Sequence, residues 1–406
     1  MARPMRWALP VTRTTGRVDM LPTMPPMAAH SGVESVSAPP FPEGAAALQA
    51  RIAAAVRAAG GWLPFDRFMA MALYEPGLGY YARGTPVFGA MPQSGSDFVT
   101  APELSPLFGA TLARAVEEAL DAAGADTVVE FGAGSGALAA QLLGALGDRV
   151  RHYRIVELSG PLRQRQRDRL AAFGGRVEWL DTWPEAMHAV VGGNEVLDAM
   201  PVTLLHFDGA QWLERGVALQ GEAFAWAHRP TALRPPHAGP FVPGTTTEIH
   251  PQAEAFVRGL AERLACGAAF LVDYGFPEHE YYHPQRTGGT LMCHRAHQAE
   301  AGDNDPLAGV GTKDITAHVN FSAVALAAQD AGLDVLGYTS QARFLYNAGI
   351  AGLLHEASLP VRTMAARLVN EHEMGELFKV LMLGRGLAFG AAGPLGFVAG
   401  DRSHTL

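Results

Sequence analysis

The sequence predicts an α/β protein built on a mostly parallel, Rossmann-like sheet with helices on both faces. Three observations carry that expectation. From residue 127 onward, short apolar strands alternate with helical patterns. The stretch 128–143, VVEFGAGSGALAAQLL, passes from strand to helix through glycines at 132, 134 and 136. The run AAFLVDYG at 268–275 is almost wholly apolar, as a strand covered on both faces must be.

The elements follow in chain order. Leu48, Ile52 and Val56 recur every four residues before Gly60-Gly61, which predicts a short amphipathic helix with a glycine stop. Residues 62–104 are loop-rich with scattered aromatics, including YEPGLGYYARG and GSDFVTAPE. Ser105 before Pro106 is a helix start, and Leu107, Phe108, Leu112, Ala115, Val116 and Leu120 continue one apolar face to Gly124. Strands at 127–131 and 153–157 flank a helix at 135–146. A polar helix at 161–172 and strands near 177–180 and 188–193 continue the alternation. At 202–245 the rhythm breaks: VTLLHF and QWLERGVAL surround Asp208-Gly209, a hairpin signal, so an antiparallel β insertion is expected. A helix near 248–264 leads into the 268–275 strand, and VLGYTS (335–340) and FKVLMLGRG (378–386) read as two more.

Composition narrows the function classes. The chain has 406 residues, 48% apolar and 17% charged, with a formal charge of −9, which argues against a nucleic-acid backbone as partner. Two cysteines, Cys266 and Cys293, cannot form a disulfide framework. No apolar run reaches the roughly 18 residues of a membrane span. Residues 1–44 carry Arg3, Arg6, Arg13 and Arg17 among prolines and methionines without periodicity. They read as a disordered tail, or as a non-native extension ahead of Met20, Met24 or Met27. A transit peptide is the other reading. The location is therefore cytoplasmic for a bacterial chain, or the mitochondrial matrix if the tail is a transit signal. Domain expectations are an N-terminal helical and loop region at 45–124, the α/β domain at 125–390 and a flexible tail at 391–406.

Glycine turns of this kind serve nicotinamide, flavin and S-adenosylmethionine (SAM) proteins. Glycines let backbone approach a ligand, and the helix starting near Ser135 directs free N–H groups at it. Gly132, Gly134 and Ala137 also satisfy the dinucleotide pattern. Glu130 weighs toward SAM, because a carboxylate there repels a diphosphate and binds a sulfonium or ammonium. Glu157, closing the next strand, suits a ribose diol in either class.

Eight stretches occur in order: GSDFVTAPELSPLFG (95–109), VVEFGAGSGALA (128–139), YRIVELSGPLRQRQ (153–166), NEVLDAMPV (194–202), FLVDYG (270–275), GTLMCHRAH (289–297), KDITAHVNFSAVA (313–325) and FKVLMLGRG (378–386). The set resembles the MidA-like family of SAM-dependent methyltransferases, relatives of the mitochondrial assembly factors of respiratory complex I. The resemblance implies a class I methyltransferase sheet with SAM as cofactor. It also implies methylation of an arginine in a protein partner, a complex I subunit being one candidate. A SAM-binding assembly protein without turnover is the alternative, and a nicotinamide oxidoreductase a third. A homo-oligomer is compatible with the sequence.

On that reading Glu130, Gly132, Gly134 and Gly136 face the methionine part of SAM, Glu157 the ribose, Asp181 and Thr182 the adenine, and Asn194 the cofactor edge. Glu195 and Asp198, three residues apart and on one face if helical, are the first candidates to pin a guanidinium, with Glu103 beside them. Asp97, Thr100, Asp273 and Tyr274 complete the acceptor pocket. Asp198 reads equally well as a helix N-terminal charge, and Glu103 as a loop or first-turn carboxylate. Asp314, His318 and Asn320 receive no chemical role. The segment HEYYH at 279–283 matches a zinc signature, but Pro277 and Pro284 bracket it, so its histidines are read as surface or lid groups. Cys293, His294 and His297 are read as structural, and no metal is expected.

Overall fold

An apolar strand with no polar face has to lie at the centre of a sheet, and the run around 268–275 does. The computed structural model describes residues 44–83, 99–295, 298–299 and 305–406. The chain opens with α1 (Ala45–Ala58), β1 (Trp62–Pro64), α2 (Phe65–Tyr74), α3 (Ala101–Leu104) and α4 (Pro106–Ala123). The Ser105 hydroxyl accepts the Leu107 N–H at the start of α4, and Gly124 closes it in the left-handed region. The alternating core follows: β2 (Thr127–Phe131), α5 (Ala137–Leu146), β3 (His152–Val156), α6 (Gly160–Leu170), β4 (Val177–Leu180) and β5 (Met187–Asn194).

An antiparallel segment interrupts it, with β6 (Thr203–Phe207), β7 (Trp212–Gln220), β8 (Ala223–Pro230) and β9 (Thr246–Ile249). The turn between β6 and β7 is held by Asp208, whose Oδ1 accepts the N–H groups of Ala210 and Gln211 at 2.8 Å each. The insertion extends past the expected 245 because β9 pairs with β6. β1 adds to the same sheet beside β7, so the N-terminal region and the insertion share one sheet and one apolar core (Leu48, Phe68, Val202, Val217).

The chain returns through α7 (Pro251–Arg263) to β10 (Leu264–Phe276). Then come α8 (Glu278–Tyr281), β11 (Met292–Arg295), β12 (Gln298–Ala299), β13 (Asp314–Thr316), β14 (Val319–Asn320) and α9 (Phe321–Asp330). Asn320, given no role from sequence, caps α9 by accepting the Ala323 N–H at 3.1 Å. β15 (Asp334–Ser340), the helices α10 (Gln341–Asn347), α11 (Ile350–Glu356) and α12 (Leu359–Val369), and β16 (Phe378–Arg385) complete the fold.

The central sheet has the order β15-β16-β10-β5-β2-β3-β4. The pairings from β10 to β4 are parallel, whereas β16 runs antiparallel to both β10 and β15. One apolar cluster packs α4 and α5 on one face, and a second packs α7 and α9 on the other. Because β2 lies between β3 and β5, the order reverses there, and a crevice opens beyond the carboxyl ends of β2 and β5.

Residues 391–406 correct an expectation: they are packed, not a flexible tail. Phe397 is buried against Gly337, where an added Cβ would lie 2.3 Å from the ring. Asp401 accepts the Tyr338 N–H at 2.9 Å, and Thr339 donates its hydroxyl to the Gly400 carbonyl at 2.7 Å. Among the described residues no helix is long and apolar enough to cross a membrane.

Candidate active site

β2 delivers the chain into the glycine turn. Gly132 has φ 64° and Gly136, which precedes α5, has φ 79°, both in the region that favours glycine. A Cβ on Gly132 would sit 2.8 Å from Val196 Cγ2. Just before the turn, Glu130 is buried and accepts the Tyr153 hydroxyl at 2.6 Å. Burial pushes its carboxyl up to about 7 despite that hydrogen bond, with Glu157 adding to the rise. Glu157, at the end of β3, accepts the Ser159 N–H at 2.8 Å and the Gln166 amide at 3.2 Å, and burial raises it as well. Gln166 is fully buried; it also donates to the Gly134 carbonyl at 2.9 Å and accepts from Trp179. One amide therefore ties the glycine turn to the Glu157 strand end.

The other half of the crevice is acidic. β5 ends at Asn194, which donates to Glu195 at 2.9 Å, and the Glu195 N–H donates to Val272 O at 2.8 Å. Glu195 has φ 53° and is the one non-glycine with positive φ among the described residues. A glutamate held there carries strain of about 1–3 kcal/mol, a cost that clusters at functional sites. Burial and the neighbouring Asp198 charge push its carboxyl up to about 8. Residues 195–200 form a turn, so Glu195 and Asp198 are brought together by the turn and not by a helix. Asp198 accepts the Tyr274 hydroxyl at 2.5 Å, while its Oδ1 is buried without a partner. Burial raises it to about 6.

A cavity of about 920 Å³ joins the two halves. Its wall includes Thr100, Glu130, Gly132, Gly134, Glu157, Asn194, Glu195 and Asp198 from the sequence-based set. Gly136 lies behind that wall, where it sets the start of α5. The remaining candidates stand elsewhere. Glu103 pairs with Arg169, at 2.9 Å, and with the Ser135 hydroxyl, so it locks α3 onto the glycine turn. Asp181 points outward, its side chain 85% exposed and paired with Arg163 at 2.7 Å, and Thr182 is exposed beside it. Asp273 is buried, with one carboxylate oxygen accepting the Leu197 and Asp198 N–H groups and the other the Tyr274 N–H. It shapes the turn from behind, and Tyr274 reaches the cavity through Asp198. Asp97 lies outside the described residues.

Sequence reasoning missed Tyr153 and Gln166, which organise the carboxylates, and Tyr74 and Tyr81, which line the cavity. The tyrosines of YEPGLGYY were visible as aromatics in a loop, but nothing local tells which way they fold. His279 of the HEYYH segment lies within the one-turn helix α8 and His283 follows its end, and the His279 side chain is 63% exposed. Among the described residues no cluster of three metal-ligating side chains occurs.

A parallel sheet with a glycine turn and carboxylates at its topological switch point defines a nucleoside-binding α/β enzyme. Residues 111–339 match the family model described as "Putative S-adenosyl-L-methionine-dependent methyltransferase". The chain belongs to that family. A protein from Burkholderia thailandensis, crystallised bound to S-adenosyl-homocysteine, is 50% identical, with a TM-score of 0.86 over 91% of this chain and 100% of that one. Protein arginine methyltransferase NDUFAF7, mitochondrial, from Danio rerio is 29% identical over 79% of this chain and 83% of the relative. Its Homo sapiens counterpart is 27% identical over 80% of each. The protein is a SAM-dependent methyltransferase, and its residues fit that cofactor. Glu130 is a buried carboxylate that no described cation neutralises, and Gly132 and Gly134 line the cavity beside it.

Proposed function

We propose that the protein transfers a methyl group from SAM to an arginine guanidinium of a protein partner. The observation that carries this reading is the juxtaposition of Glu195 and Asp198, a half-buried and a buried carboxylate on the wall of the cavity that also holds Glu130 and Glu157. Asp198 Oδ1 has no partner, and burying an unpaired acceptor is costly unless a donor arrives. A guanidinium supplies such donors in a planar fork. Two relatives named protein arginine methyltransferase support the same acceptor.

Bound SAM supplies an electrophilic methyl on a cationic sulfur. Glu130 receives the ammonium of its methionine part, Gly132 and Gly134 give that part room, and Glu157 accepts from the ribose hydroxyls. Glu195 and Asp198 hold the guanidinium and draw its charge away from the attacking nitrogen. That nitrogen sheds a proton as it gains the methyl, and Glu195, whose surroundings make its carboxylate more basic than usual, is placed to take it. The partner is a protein, with a subunit of respiratory complex I suggested by the family resemblance. The relatives' names place them in mitochondria, and the N-terminal residues on which a transit signal would depend lie outside those described.

Incubation with labelled SAM and cell lysate, followed by mass spectrometry of the labelled product, tests the reading. Label on methylarginine in a protein supports it. Label on lysine or a small molecule, or SAM binding without any transfer, overturns it.

A further inference from the structure

The acceptor side of the cavity has a wall that the carboxylates do not explain. α2 ends at Tyr74, and the chain folds straight back on it. The Tyr80 N–H donates to Ala72 O at 3.0 Å and the Tyr81 N–H to Leu73 O at 2.9 Å. Gly79 permits that reversal, since a Cβ there would lie 2.7 Å from the Leu73 carbonyl oxygen. The reversal stacks Tyr81 on Tyr74, with ring centroids 5.7 Å apart and planes 19° from parallel. Both hydroxyls are tethered: Tyr74 donates to Ala199 O at 2.8 Å and Tyr81 to Asp314 Oδ2 at 2.9 Å. Tyr80, fully buried, packs edge-on against Tyr81 from behind. Burial, reinforced by Asp314, pushes the Tyr81 phenol up, so it stays neutral at working pH.

Tyr74 is tied to the turn that carries Glu195 and Asp198, and it is still 43% exposed. A large ring anchored by its hydroxyl, stacked on a second ring and still partly open to solvent, offers a surface for stacking. Ring faces carry negative potential and attract cations, and a planar guanidinium stacks where a hydrated ammonium makes only a point contact.

We propose that Tyr74 and Tyr81 form the aromatic wall of the acceptor subsite and select a flat, positively charged side chain, stacked on the rings with its N–H groups directed at Asp198 and Glu195. This rests on the arginine reading and adds the residues that discriminate arginine from lysine. They come from the N-terminal region, ahead of the residues matched by the family model.

The test uses the full chain with labelled SAM and random peptide pools carrying one fixed central arginine, lysine or citrulline. The expected order is transfer to arginine far above lysine, and none to citrulline, which is flat but neutral. Tyr74→Leu should raise KM for the arginine pool roughly tenfold with a smaller change in kcat. Tyr74→Phe, which keeps the ring, should recover most of that loss. Calorimetry with S-adenosyl-homocysteine should give the same affinity for both variants, which also shows that they fold. Transfer to none of the pools, or to lysine alone, removes the arginine reading and the wall with it. Arginine transfer that is indifferent to Tyr74→Leu, or an equal loss of S-adenosyl-homocysteine affinity, removes the wall and leaves the arginine reading standing.

Discussion

Asp273 accepts the backbone N–H of Asp198 at 3.2 Å, so one buried carboxylate fixes the peptide that carries another. The same oxygen takes the Leu197 N–H at 2.9 Å. Burial, with the Asp198 and Glu195 charges, pushes the Asp273 carboxyl well above its usual range, which makes the arrangement costly and therefore informative. Asp273→Ala should loosen the 195–200 turn. Turnover is expected to fall about 10- to 100-fold while S-adenosyl-homocysteine affinity changes little, because misplacement, not lost contact, is the defect. Steady-state kinetics beside calorimetry separates the two.

Glu157 acts on the cofactor side. Two charge-assisted hydrogen bonds to a ribose diol contribute enough that Glu157→Ala should weaken SAM binding about a hundredfold or more. Unchanged affinity by calorimetry would remove Glu157 from the cofactor site.

Glu195→Gln keeps the size of the side chain and removes its charge. SAM affinity should persist within a few-fold, whereas kcat should drop about 10²- to 10³-fold. Single-turnover label transfer reads this directly, and full turnover in the variant would exclude Glu195 from the chemistry.

Acidity gives a signature with two opposite signs. In the folded, ligand-free protein Glu195 is raised from 4.5 to about 8, Glu130 from 4.5 to about 7 and Asp198 from 3.8 to about 6. The native state then binds more protons than the unfolded chain between pH 4 and 8, so this contribution to stability declines as pH rises through that window. Thermal unfolding without ligand should show that decline, and Glu195→Gln should flatten its upper part. Acceptor methylation needs the carboxylates ionised, so kcat/KM should rise across the same window. A melting temperature that climbs from pH 5 to 8 in the wild type but not in the variant would contradict the assignment.

Gly132 tests the turn itself. Alanine there meets both a positive φ and Val196 Cγ2 at 2.8 Å. Gly132→Ala should destabilise the protein by about 2 kcal/mol and weaken SAM binding, since Gly132 itself lines the cavity beside Glu130. Thermal melts with and without SAM measure both effects.

Much of the architecture was legible because it is local or periodic. The glycine turn, the Ser105-Pro106 helix start, the Asp208-Gly209 hairpin and the apolar β10 run each depend on residues within a few positions. Their physics survives in a linear string. The helices of 341–369 were not anticipated, and the packing of the last residues under Gly337 was read as looseness, because a lone buried phenylalanine leaves no period.

The site divides along the same line. Sequence by itself determined that Glu130 and Glu157 close adjacent strands beside a glycine turn and that Glu195 and Asp198 follow β5, because strand ends and motif spacing are properties of neighbours in the chain. Tertiary structure alone decided that Glu103 serves Arg169, that Asp181 faces outward, that Asp273 braces the Asp198 turn and that Tyr74 and Tyr81 line the cavity. Each of those outcomes depends on which partner a side chain meets across tens or hundreds of residues. Such partners are chosen by packing and by the demand that buried polar groups find donors, and neither is visible until the chain has closed on itself.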